Sequence, residues 1–177
     1  MKNCCFRLLA FTGGRKGEVL ALTWEDINFI EKTIRFNKTL AKTEHSNKYV
    51  QTPKTAHSKR FISVDDKTLD VLERWKKTQA KLLLTYGINT NFNSKQPILV
   101  FTDKRALNDY HFTIYPNEKL KAILRKYELP SITVHGLRHT HATLLFEART
   151  SIKEVQERIG HIDIRTTMNV YALVTQK

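Results

Sequence analysis

The chain is short of cysteine, of long apolar stretches and, over its early middle, of acidic residues, and each shortage excludes something. Cys4 and Cys5 are its only cysteines. Adjacent residues make a poor disulfide pair, so no covalent framework holds this fold; the pair suits a reducing compartment and reads as small helix residues without chemistry. The longest apolar run, residues 6–11, is interrupted by Arg7. That is far below the roughly 20 residues a membrane-spanning helix needs, and the N-terminus lacks the apolar stretch and cleavage site of a signal peptide. The expectation is a cytoplasmic protein with no membrane partner. No internal repeat or low-complexity tract interrupts the chain.

Its 177 residues, 41% hydrophobic and 27% charged, suffice for one compact domain with a real core. Thirty Lys+Arg against 17 Asp+Glu leave a formal charge of +13. Such a chain condenses onto polyanions and loses affinity steeply with salt, which points to nucleic acid. The distribution sharpens this. Between residues 35 and 60 stand Arg35, Lys38, Lys42, Lys48, Lys54, Lys59 and Arg60 against the single acid Glu44. A solvated basic loop is the plain reading of such a run. The functional reading makes Arg35, Lys38, Lys42, Lys48, Lys59 and Arg60 contacts to the DNA backbone.

The pattern is mixed, with strands early and helices late. Helical segments cover 8–10 and 19–22, the second beginning after the turn at Gly13 and Gly14 and stopping near Trp24. Residues 27–30, 33–36, 49–52 and 60–64 alternate or are β-branched and aromatic, which predicts a small antiparallel sheet with basic connections. Asp65 or Asp66 caps a long helix to about Tyr86, with Leu69, Leu72, Trp75, Leu82 and Leu83 at helical spacing. A polar loop, 89–97, precedes a short strand at 98–101. Helices are then predicted over 117–127, 134–148, 152–159 and 166–174.

The chemistry-bearing residues form a compact set. Residues 12–18 (TGGRKGE) carry Arg15 and Glu18; residues 135–138 (HGLR) carry His135 and Arg138; Gly160-His161 follows, and Tyr171 lies ten residues beyond His161. Arginines grip phosphate through a planar fork, histidines move protons or donate hydrogen bonds, and a tyrosine oxygen can attack phosphorus. That set meets the needs of metal-free cutting of a nucleic-acid backbone. At 100° per residue, His135, Arg138 and Ala142 share one helix face, while Leu137, His141, Leu144 and Ala148 share the opposite one. The apolar face is expected to pack and the His135/Arg138 face to look at a ligand, since a buried arginine without an anion is costly. The plainer alternative pairs Arg138 with Glu147 or Glu154. His141, on the packed face, reads as a satisfied core histidine. His135 and His139 are four apart, as in some zinc sites, but no glutamate stands between them and no cysteine is near.

Four stretches carry a resemblance: residues 12–27 (TGGRKGEVLALTWEDI), 52–62 (TPKTAHSKRFI), 135–144 (HGLRHTHATL) and 159–171 (IGHIDIRTTMNVY). In this order they resemble the catalytic domain of tyrosine recombinases, the phage-integrase family, and most of all integrases of phages and mobile elements of Gram-positive bacteria. The resemblance implies an α+β fold, mostly helical, with a small antiparallel β-sheet. It implies a site-specific recombinase that cleaves and rejoins DNA through a 3′-phosphotyrosyl link. In that scheme Arg15, Arg138 and His161 hold the scissile phosphate, Lys54 protonates the leaving 5′ oxygen, His135 positions or deprotonates the nucleophile, and Tyr171 attacks. Glu18 would support the site by holding His135 or an arginine. Neither a cofactor nor a metal is implied. The partner would be duplex DNA at attachment sites, bound by a homotetramer in the full-length protein.

Other classes share some of these features. A type IB topoisomerase uses the same residue types to nick and reseal without exchanging partners. Residues 151–174 also resemble a helix-turn-helix, which would make a non-enzymatic DNA-binding protein, although only Arg165, Thr166, Thr167 and Asn169 could read bases there. Fourteen residues precede Arg15 and six follow Tyr171. The expectation is that residues 1–177 form a catalytic domain without the core-binding and arm-binding domains of the family, and that the free fragment is a monomer.

Overall fold

Two hydrophobic clusters organise the molecule, and hydrogen bonds from Arg15 to the Gly160 carbonyl and from Arg60 to the Arg158 carbonyl cross the seam between them. The computed structural model describes residues 1–43, 47–52, 59–89, 97–103, 106–161 and 163–175. The larger cluster joins α1 (Lys2–Thr12), α2 (Lys16–Leu20), α3 (Asp66–Leu84), α4 (Tyr115–Lys126) and a three-stranded sheet. The smaller one is built from the C-terminal half of α5 (Val134–Glu147) with α6 (Ile152–Ile159) and α7 (Ile164–Thr175). Its buried members are Ala142, Phe146, Val155, Ile159 and Val170.

The sheet runs in the order β1 (Ile27–Asn28), β2 (Thr33–Phe36), β5 (Arg60–Ser63), all antiparallel, with Ile34 opposite both Ile27 and Ile62. These three isoleucines turn to one face and are buried, as period-two alternation requires. Residues 49–52, predicted in the same sheet, belong instead to a separate hairpin of β3 (Thr39–Lys42) and β4 (Lys48–Gln51). The sequence reading also missed β3 and a second hairpin, β6 (Thr102–Asp103) with β7 (Ala106–Tyr110). Residues 98–101 make only one bridge, Leu99 to Thr23.

Helix ends follow local chemistry. Asp65 caps α3 by accepting from the Thr68 backbone N–H at 2.9 Å, Thr133 caps α5 by accepting from the Gly136 N–H at 2.9 Å, and Ser151 with Glu154 closes a reciprocal box on α6. Gly13 ends α1 and Gly160 ends α6, both with positive φ (64° and 73°), a conformation that suits glycine. Gly13 has a second constraint: a Cβ there would meet His141 Cδ2 at 2.7 Å.

Helix α5 departs from the wheel reading. Its deeply buried face is Arg138, Ala142 and Phe146, whereas Leu144, expected to pack, is 56% exposed. Apolar residues are spread around this helix, so no single stripe marks the inside, and α1, α4, α6 and α7 contact it from several sides. His141 is satisfied as expected: its Nε2 accepts from Arg158 Nε at 3.1 Å. Burial, with the Arg158 charge second, pushes this imidazole down to about 4, so it is neutral.

Candidate active site

Arg15 occupies the residue before α2, where the chain leaves the double-glycine turn. Its position is set by Glu18 one turn on, whose carboxylate accepts from the Arg15 backbone N–H at 2.7 Å and from Arg15 Nη1 at 3.0 Å. The other guanidinium nitrogen, Nη2, crosses the seam and donates to the Gly160 carbonyl at 2.8 Å. Arg138 enters from α5. Its Nη1 donates to the Gly13 carbonyl at 2.7 Å, while its Nη2 is buried with no hydrogen-bond partner among the described residues. Neither Glu147 nor Glu154 holds it.

A guanidinium nitrogen shut from water and left unpaired is costly unless a ligand completes it. Burial, and after it the neighbouring charge of Arg15, pushes the Arg138 guanidinium down to about 9. It remains cationic at neutral pH, and an arriving anion would relieve both effects. Arg15, Arg138 and His135 line one end of a cleft of about 640 Å³ whose remaining wall includes Leu40, Leu120 and Lys121.

His161 follows the Gly160 turn, and its Nδ1 lies 3.0 Å from the hydroxyl of Thr167 on α7. Burial first, then Arg138, Arg15, His139 and His135, pushes this ring down to about 4. The Thr167 hydroxyl can donate to Nδ1 or accept from it; in the tautomer where it donates, the imidazole proton sits on Nε2. His135 stands against His139 edge to face, ring centres 4.6 Å apart, and burial, His139, Arg138 and Arg15 lower its basicity. Tyr171 is 40% exposed and rests edge-on against Phe146 at 5.2 Å. It lies four residues after Thr167 on the same helix, which puts the two side chains on neighbouring turns, about 5–6 Å apart at their Cβ atoms. Thus the helix that braces His161 also carries the tyrosine.

Arg15, Glu18, Arg138, His161 and His135 are therefore brought together, whereas Tyr171 stands on the helix of Thr167, packed against Phe146. Glu18 holds Arg15 and also Arg60; no bond to His135 is made. Lys54 lies outside the described residues.

The basic stretch behaves differently from its sequence reading. Arg60 is not a surface cation: it is buried, spans the Glu18 carboxylate with Nη1–Oε1 at 3.0 Å and Nη2–Oε2 at 2.8 Å, and donates from Nε to the Arg158 carbonyl. Arg35 and Lys38 both pair with the buried carboxylate of Asp26. Lys48 pairs with Asp109 at 2.6 Å. Lys42 and Lys59 are exposed. Charge counting along the chain could not foresee these partners, because Asp26, Glu18 and Asp109 lie outside the basic run. Thr167 entered the sequence reading only as a base reader of the helix-turn-helix alternative, and nothing in the sequence distinguished the carbonyls of Gly13 and Gly160.

Burial and pairing explain Glu18 as well. Burial alone would raise its carboxyl, but hydrogen bonds and charge from Arg60, then those from Arg15, hold it below the ordinary carboxylate range.

The phage integrase family profile matches residues 1–177. The chain is 34% identical over 167 residues to the ICEBs1 integrase of Bacillus subtilis (strain 168), covering 94% of this chain and 43% of that protein. It is 34% identical over 176 residues to the integrase of Staphylococcus phage L54a, covering 95% and 46% respectively. The chain thus spans less than half the length of these relatives. Among solved structures, the Tn1549 transposon integrase in complex with transposon right end DNA superposes with a TM-score of 0.79 at 22% identity, over 99% of this chain and 56% of that one. That last likeness concerns the fold, which is the mostly helical α+β arrangement with small antiparallel sheets described above. With the family profile running the whole length over the same arginine, histidine and tyrosine motifs, the chain belongs to the phage integrase family of tyrosine recombinases.

Proposed function

We propose that this chain is the catalytic part of a site-specific DNA recombinase that integrates or excises a mobile element. The observation that carries this reading is the buried, unpartnered Nη2 of Arg138 in a cleft shared with Arg15 and His135. Two fixed guanidinium groups and a neutral imidazole donor suit a phosphodiester whose nonbridging oxygens gain charge in the transition state.

In the reaction, Arg15 and Arg138 hold the nonbridging oxygens and His161 Nε2–H donates a further hydrogen bond. The Tyr171 oxygen attacks phosphorus, the bond to the 5′ oxygen breaks, and the enzyme is left with a 3′-phosphotyrosyl link. His135 positions the phenol or takes its proton, and Lys54 supplies a proton to the leaving 5′ oxygen. Attack by a 5′-hydroxyl of a second strand reverses the step. The phosphotyrosyl bond conserves the energy of the phosphodiester, so rejoining needs no nucleotide. The Tn1549 integrase structure contains transposon right end DNA. By analogy, duplex DNA is the partner here, engaged in the longer protein as a homotetramer acting in the cytoplasm.

Covalent trapping on a nicked suicide duplex carrying the element's own attachment site tests this. The wild-type chain should give a gel-shifted, protease-sensitive adduct. Tyr171→Phe should abolish it while duplex affinity stays within a few-fold, since only the attacking oxygen is lost. Wild-type levels of adduct in the variant would move the nucleophile elsewhere, with Tyr127 and Tyr110 next to test.

A further inference from the structure

Arg60 stands behind the arginine clamp. Its guanidinium spends Nη1 and Nη2 on the two oxygens of Glu18 and Nε on the Arg158 carbonyl, and its plane lies over the Phe36 ring at 4.8 Å. It is closely fitted on its last side too: a Cβ on Gly160 would meet Arg60 Nη1 at 3.0 Å. A closed ring of contacts results. Arg15 binds Glu18 and the Gly160 carbonyl; Arg60 binds Glu18 and the carbonyl two residues earlier, at Arg158. The ring ties the start of α2, strand β5 and the end of α6 into one unit, and so sets where Arg15 and the following His161 stand.

Charge gives the ring a purpose beyond packing. Glu18 is buried, and among the described residues Arg15 and Arg60 are the cations paired with it. With Arg60 in place, the carboxylate is already neutralised from behind and Arg15, whose side chain is 41% exposed, keeps attraction to spare for a phosphate. Without Arg60, Glu18 would turn its full charge on Arg15 and act as a built-in competitor for it.

We propose that Arg60 is a positioning residue of the phosphate clamp: it neutralises Glu18 from the rear and locks the Gly160–His161 turn to Arg15, without itself touching the substrate. The proposal rests on the recombinase reading for its consequence in catalysis, but its physical core, anion affinity of the clamp, is measurable separately.

The test compares wild type, Arg60→Met and the double variant Glu18→Gln/Arg60→Met. Inorganic phosphate is titrated into each and followed by ¹H–¹⁵N NMR at Gly13, Gly14 and the arginine Nε–H groups; thermal melting checks that each is folded. Arg60→Met should weaken phosphate by about tenfold or more, because Glu18 then has Arg15 as its sole paired cation among the described residues and competes with phosphate for it. The double variant should recover most of that affinity, since the competing carboxylate has gone. A packing role alone predicts the reverse, with the double variant no better than the single. Phosphate affinity unchanged in Arg60→Met, or no recovery in the double variant, overturns the proposal. If Arg60→Met does not fold, Arg60→Gln replaces it in the same comparison, removing the charge while keeping a hydrogen-bond donor for Glu18. Covalent adduct formation on the nicked duplex should follow the same order. Should phosphate binding behave as expected while wild type forms no adduct, the clamp stands and the recombinase reading falls.

Discussion

At the scale of single residues, geometry separates arginines that composition treats alike. Arg138 and Arg60 are both buried, yet Arg60 has every guanidinium nitrogen engaged and Arg138 retains one that is empty. The first is committed to contacts within the fold, whereas the second keeps a buried donor without a partner among the described residues. Arg138→Lys keeps the charge but replaces a rigid fork with one flexible ammonium group. It cannot both donate to the Gly13 carbonyl and present a second, fixed donor to phosphate. Cleavage on the suicide duplex should therefore slow by roughly two or more orders of magnitude, with little change in melting temperature. A rate within a few-fold of wild type would place Arg138 outside the reaction. The motifs were legible at this scale because Arg15, Arg138, His161 and Tyr171 each sit in a short, recognisable string. Partner identity was legible only in part: the Glu18–Arg15 pair is local, but that Glu18 also holds Arg60 depended on a contact 42 residues distant in sequence.

At the scale of elements, helices were read better than strands. Residues 152–159 were placed as found, since the Ser151/Glu154 box and Gly160 mark both ends locally. Strand β3 escaped because its four residues, Thr39–Lys42, carry a lysine and an alanine and gain their meaning only from pairing with β4. The α5 wheel failed because several helices surround α5. The junction of α1, α5 and α6 makes a prediction about acid. His141 is held neutral there, between Arg158 and the backbone of Ala10, with burial pushing it from an ordinary 6.5 to about 4. His161, at the other end of the seam, shifts in the same direction to about 4. A group whose folded value is depressed contributes its full stability above the unfolded value, and that contribution drains away as pH falls through the folded one. The melting temperature should thus decline between about pH 6.5 and 4.5, before ordinary carboxylates titrate. His141→Gln, which keeps an acceptor for Arg158 but cannot titrate, should flatten the decline. Parallel slopes for the two proteins over that window would show that His141 does not govern it.

At the scale of the whole molecule, the charge of +13 must be divided into cations already spoken for and cations free to meet DNA. Arg35 and Lys38 share Asp26, Lys48 is bound to Asp109, and Arg60 is enclosed with Glu18. Of the basic run, Lys42 and Lys59 are exposed and outside these pairs among the described residues, and Lys16 and Lys121 line the cleft. Burial and the nearness of Lys42 together lower the basicity of Lys16, a sign that positive charge is concentrated at that mouth. Each phosphate neutralised by the protein releases condensed counterions, so the logarithm of affinity falls linearly with the logarithm of salt, by about 0.9 per contact on B-form DNA. Duplex binding by the 177-residue chain should therefore weaken steeply from low to physiological salt. The division of charges makes a finer claim. Lys42→Ala and Lys59→Ala should each reduce the slope by about one. Arg35→Ala should leave it unchanged, because that charge is spent on a buried carboxylate within the fold. Fluorescence anisotropy over a salt series, with cognate and scrambled duplexes, reads both quantities. If Arg35→Ala lowers the slope as much as Lys42→Ala does, the Asp26 pair opens on DNA and the basic run acts as the continuous surface its sequence suggested.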